Sequence, residues 1–97
     1  MTVDWNGNVN IANQLIHGKN HTITAAAEGI YAGGSGNTVS GSFAHAEGQG
    51  TTASKTTAHA EGTSTTASGN ASHAEGQDTI ASGIYSHAEG EKTSANK

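Results

Sequence analysis

The chain has no cysteine, no arginine and only four aromatic residues among 97. Without cysteine there are no disulfides, no thiolate chemistry and no cysteine-ligated zinc. Four lysines against eight acidic residues give a net charge of −4. No surface is left to neutralise phosphates, which excludes nucleic acid as a partner. No long apolar run occurs, so membrane insertion is not expected. The opening Met1-Thr2-Val3-Asp4-Trp5 lacks the basic-then-apolar character of a secretory signal. The expectation is a fragment, or a chain released by another route such as lysis. Only Asp4 and Asp78 are present, too few for a calcium-binding Gly-Gly-x-Gly-x-Asp repeat. The length allows one small domain.

What the chain does have is a phrase that returns. His-Ala-Glu-Gly occurs at His45–Gly48, His59–Gly62, His73–Gly76 and His87–Gly90, at a constant 14-residue step. A second phrase keeps the same step, Thr-Thr-Ala-Ser at 51–54 and 65–68, with variants at 79–82 and 93–96. Abundant Gly, Ser and Thr are also the composition of disorder. Disordered segments drift in spacing, however, and here each column holds through four copies. A period this short cannot house a helix pair and suits two short strands and two tight turns, one coil of an all-β solenoid. Each strand would pair in parallel with its equivalent in the next coil, roughly 4.8 Å along the axis. Gly48, Gly62, Gly76 and Gly90 are expected to close one strand, and Gly41, Gly69 and Gly83 the other, through positive φ at the corners.

Alternation along a strand divides the coil into faces. His73 and Glu75 share one side, Ser72 and Ala74 the other; Thr65 and Ala67 point with the small residues, Thr66 and Ser68 away. The small face is the inside, which makes Ala46, Ala53, Ala60, Ala67, Ala74, Ala81 and Ala88 the expected roll interior. Full burial of a Val or Leu contributes about 1.5–3 kcal/mol and Ala far less, so a lone roll is marginal. It is expected to pack its other face against copies of itself. That face carries His45, Glu47, His59, Glu61, His73, Glu75, His87 and Glu89. Alternation extended two residues further adds Phe43 and Tyr85 as interface anchors.

The pattern Ser-x-Ala-x-Gly, followed by a Thr/Ser-x-Ala-Ser-Gly half-repeat, resembles the head repeat of YadA-type trimeric autotransporter adhesins. The Ser/Ala-His-Ala-Glu-Gly wording is closest to the variant of phage and prophage tail-fibre proteins. The resemblance covers Asn37 to Lys97 and implies a left-handed parallel β-roll assembled as a homotrimer about a threefold axis. It further implies a virion or bacterial cell-surface location, with a host-surface glycan or protein as the outside partner.

The first third is expected to differ, dividing the chain into an N-terminal hairpin with irregular capping coils (1–36) and a repeat roll (37–97). Val-Asp-Trp-Asn-Gly-Asn-Val-Asn-Ile at 3–11 is two alternating runs around Asn6-Gly7, a strong hairpin signal. Trp5, Val9 and Ile11 are assigned to a cap over the open end of the roll. Ile30-Tyr31-Ala32 reads like Ile84-Tyr85-Ser86, with two residues missing before Gly33-Gly34. The last half-coil stops without an apolar cap, which suggests that the natural protein continues.

Six histidines raise the question of a metal, since three imidazoles around an axis could hold Zn²⁺ or Ni²⁺. Glu two residues away on the same face offers a nearer partner, so His–Glu pairing is preferred and neither metal nor cofactor is assigned. Ionic pairing would place greatest stability at mildly acidic pH, neutral pairing a plateau through neutrality. Catalysis is not expected: Ser72 and His73 point to opposite faces, and four equivalent copies supply no single special environment. A Thr-rich ice-binding solenoid is the rival of another class. Its unbroken column, Thr51, Thr65, Thr79 and Thr93, falls on the inner side. The reading is therefore a structural segment of a homotrimeric fibre, of a phage or prophage tail fibre in the first instance and of a bacterial adhesin head in the second.

Overall fold

The computed structural model describes residues 2–3, 9–10, 14–24 and 27–96. Strands β1 (Thr2–Val3) and β2 (Val9–Asn10) form an antiparallel pair with Val3 opposite Val9. The hairpin expected around Asn6-Gly7 is thus present as its two strands; the turn itself, Trp5 and Ile11 lie outside the described residues.

Twelve strands follow as six long–short pairs: β3 (Gln14–Lys19) and β4 (Thr22–Ile23), β5 (Ile30–Ser35) and β6 (Thr38–Val39), β7 (His45–Gln49) and β8 (Thr52–Ala53), β9 (His59–Thr63) and β10 (Thr66–Ala67), β11 (His73–Gln77) and β12 (Ile80–Ala81), β13 (His87–Glu91) and β14 (Ser94–Ala95). The long strands make one six-stranded parallel sheet and the short strands another, each in chain order. This is a parallel β-solenoid in which one sequence repeat makes one coil, and the described residues contain no helix. Register is strict from β5 onward, with His45 opposite His59, His73 opposite His59 and His87 opposite His73.

The inside of the roll is made of what alternation places there. Ala46, Ala53, Ala60, Ala67, Ala74, Ala81 and Ala88 are buried, as are Ser72, Thr51, Thr65 and Thr79. Among the described residues Val39 is the largest fully buried side chain, and Ile30 is 3% exposed. At the head of the threonine column stands Asn37, whose amide donates to Gly33 O at 2.6 Å and whose Oδ1 accepts from Thr51 N at 3.0 Å and Thr51 Oγ1 at 2.8 Å. The hydroxyls of Thr65 and Thr79 below it are buried without a partner. Between coils the backbone supplies cohesion, as in Thr52 N–H to Thr65 O at 2.8 Å and His59 N–H to Ser72 O at 2.9 Å. Each such bond contributes a net of about 0.5–1.5 kcal/mol.

Two expectations are corrected by the register. Tyr31-Ala32-Gly33-Gly34 pairs with His45-Ala46-Glu47-Gly48, so it is itself the equivalent of that phrase and nothing is missing before Gly33. The step from β3 to β5, which sets Gln14 opposite Ile30, overshoots the regular period by two. The coil is longer rather than shorter, and the extra length falls in the turn between Thr24 and Glu28, where Ala27 N–H bonds Thr24 O at 3.0 Å. A turn can absorb an insertion that within a strand would disturb which side chains face the core.

Gly48, Gly62, Gly76 and Gly90 have φ of 113–115° as anticipated. Gly41, Gly69 and Gly83 do not take positive φ. What selects glycine at Gly41 and Gly69 is close approach, since a Cβ would stand 2.1 Å from Lys55 O and 2.2 Å from Gly83 O. The left-handed corner sits two residues later, at Phe43, Thr57, Ala71 and Tyr85, with φ of 56–62°. Non-glycine residues in that conformation carry a cost of about 1–2 kcal/mol. Ala71→Gly is therefore expected to stabilise the roll by about 1 kcal/mol. Gly62→Ala should do the opposite and more strongly, because its Cβ would lie 2.0 Å from Gly76 O. Urea unfolding of the two variants beside the parent checks both signs.

Candidate functional site

The long-strand sheet carries a ladder of identical side chains on its outer face. Parallel pairing without slip sets each His above the previous one, and the rings of His45, His59, His73 and His87 stack with centroids 4.4–4.6 Å apart and planes within 15°. Tyr31 completes the stack, 4.6 Å from His45. Its place was legible: one period back from His45 lands on Tyr31, whereas its likeness to Tyr85 pointed elsewhere. Asn37 could have been found the same way, one period before Thr51.

Beside the imidazoles runs a carboxylate ladder of Glu47, Glu61, Glu75 and Glu89. In each coil His Nε2 lies 3.5–3.6 Å from the Glu carboxylate two residues on. The next column is glycine, so the carboxylates overlook an open groove lined by Glu47, Gly48, Glu61, Gly62, Glu75, Gly76, Glu89 and Gly90. The Nε2 atoms of His45, His59 and His73 are covered from solvent and have no hydrogen-bond partner. Two sets of side chains, His45, His59 and Glu61, and His73, Glu75 and His87, bring three metal-ligating atoms within 4.8 Å of one another.

The electrostatics follow from this crowding. Burial holds the His59 pKa below its ordinary 6.5, the charges of His45 and His73 above and below it push the same way, and Glu61 opposes them. Glu47 is held below its ordinary 4.5, first by a hydrogen bond with the Glu61 carboxyl and further by His45 and His59, against the effect of desolvation. At His59, then, the neutral imidazole is favoured, which is the second of the two pairing modes considered above.

Phe43 and Tyr85 are not placed by alternation after all. They occupy the left-handed corner before β7 and β13, where the strand rule does not apply, and stand 60% and 80% exposed. The His and Glu side chains share one face as expected. Val9 lies in β2, while Trp5 and Ile11 lie outside the described residues. Ser72 faces inward, its hydroxyl donating to Gly69 O at 2.7 Å, and His73 faces outward. On the short-strand sheet the outward column is Thr52, Thr66, Ile80 and Ser94, and the Thr51, Thr65 and Thr79 column is buried.

Both shifts give the same sign of pH dependence. His59 has a folded pKa below its unfolded value of about 6.5, so the unfolded chain takes up the proton first and stability falls as pH drops from 6.5 through the folded value. The Glu47 contribution is full above 4.5 and is lost as pH falls through its lowered folded value. Thermal melts should be level from neutrality upward and decline in two stages on acidification. His59→Gln should remove the upper stage and Glu47→Gln the lower.

No family model, curated protein or solved structure matches the chain.

Proposed function

We propose that the chain is a structural segment of a homotrimeric fibre, in which three left-handed rolls pack their His/Glu faces about a common axis. We assign it to a phage or prophage tail fibre that serves host-surface attachment. The observation that carries this reading is the thinness of the interior. Where a self-sufficient domain buries Leu, Ile and Phe throughout, the described residues of this roll bury mostly Ala, Ser and Thr, with Ile30 and Val39 the larger aliphatic side chains among them. Folding a residue costs about 1–2 kcal/mol in backbone entropy alone. Buried alanines offset little of that, and the unpartnered hydroxyls of Thr65 and Thr79 subtract about 1–3 kcal/mol each.

Lateral packing of rolls supplies the missing burial. The exposed apolar side chains of Phe43, Ile84 and Tyr85 are available to such contacts. Repetition agrees with a mechanical role: each coil extends the rod by one strand spacing and presents the same face as the last. The resemblance of the repeat to adhesin heads and tail-fibre segments supports the trimer, the handedness and the location.

Sedimentation equilibrium should return about three times the 9.7 kDa chain mass at micromolar concentration. A folded monomer there would overturn the reading. Truncation of a buried Phe typically costs about 3–5 kcal/mol. If the partly exposed Phe43 becomes covered in the trimer, Phe43→Ala should weaken association by a smaller but measurable amount, with little effect on the far-ultraviolet circular dichroism of the assembled form.

A further inference from the structure

We infer that the imidazole and carboxylate ladders form two divalent transition-metal sites within a single chain, one at His45, His59 and Glu61 and the other at His73, His87 and Glu75. Each set places two imidazole nitrogens and one carboxylate oxygen within 4.8 Å of one another. That is three protein ligands of borderline character, the donor set that Zn²⁺ accepts with a fourth position left open. Oxygen-only ions such as Ca²⁺ and Mg²⁺ are poorly matched.

The surroundings of these nitrogens point the same way. The Nε2 atoms of His45, His59 and His73 are shielded from water and make no hydrogen bond, although a carboxylate stands 3.5 Å from each. Buried polar nitrogens normally find a partner. An ion seated between imidazole and carboxylate would give these nitrogens one. In the single roll entry is open from the groove side, where the glycine column leaves the carboxylates without neighbours that cover them; in the proposed trimer the same face turns to the axis.

The backbone need not move. The rings now stack at 4.4–4.6 Å, and an ion with Zn–N bonds of about 2.0–2.1 Å draws two Nε2 tips together by tilting each ring about its own side-chain torsions. Pairing of adjacent coils explains why four histidines make two sites rather than four. Each ion takes two consecutive rings, so the regular stack resolves into two close pairs. The sites are complete within one chain and do not depend on trimer formation.

The test is a Zn²⁺ titration of the full chain, stripped of metal, at about pH 7.5, roughly one unit above the ordinary histidine value. Calorimetry and native mass spectrometry read the number of ions per chain. The expected result is saturation at two, with His59→Gln and His73→Gln each removing one and His21→Gln, outside both sets, removing none. Glu61→Gln and Glu75→Gln change neither length nor register and serve if a histidine variant fails to fold; each should weaken one site by at least about tenfold. Any other stoichiometry overturns the inference, as does retention of both ions at undiminished affinity in the glutamate variants. Because ions are counted per chain, the result is independent of whether the assembled mass is that of a trimer.

Discussion

Parallel, unslipped backbone pairing between successive coils is the constraint on which the rest of this molecule depends. Antiparallel hairpins turn a sequence back on itself and set unlike residues side by side. Here each residue lies against its own equivalent, with Ala74 between Ala60 and Ala88 and Glu75 between Glu61 and Glu89. A column can therefore hold only what tolerates a copy of itself at one strand spacing. Alanine and threonine do so inside by being small. Imidazoles do so outside by stacking, and glycine does so where the next coil's carbonyl leaves no room for a Cβ.

The same constraint ties the electrostatics to the fold. A charged column in register is repulsive at every step, with a spacing too short for solvent to screen well. The structure relieves this by alternating kinds of column rather than kinds of residue within a column, so that imidazoles lie beside carboxylates in every coil. Repulsion along the ladder survives, and it is part of why the neutral form is favoured at His59. His87 and Glu89, in the last of the described coils, are more than half exposed.

The sequence made much of this legible because its period is strict. The coil length, the identity of the inner face and the shared His/Glu face all follow from that spacing combined with strand alternation. What it concealed lay where alternation stops. Phe43 and Tyr85 read as strand positions, yet a left-handed corner intervenes, and no residue type marks that corner: Phe, Thr, Ala and Tyr occupy it in turn. The role of Tyr31 was hidden by letter similarity. Ile30-Tyr31-Ala32 looks like Ile84-Tyr85-Ser86 but is offset from it by two places in the true register. Spacing was the better guide than resemblance of side chains. The longer first step was visible in the spacing of the half-repeats, but only the turn between Thr24 and Glu28 says where the chain stores the difference.

Sameness between coils has a consequence for how such a chain finds its native arrangement. If β9 paired with β13 instead of β11, the His, Ala, Glu and Gly columns would still match, and the error would leave one coil looped out with those side chains still in place. Contacts within those columns cannot detect a slip of one whole period, so the register rests on positions that are not repeated. Two residues at the upstream end answer to that description. Asn37 ties Gly33 to Thr51 through both ends of its amide, and Tyr31 puts a phenol where every later coil has an imidazole. They set the first regular coil apart from the later ones, whose His-Ala-Glu-Gly strands are alike.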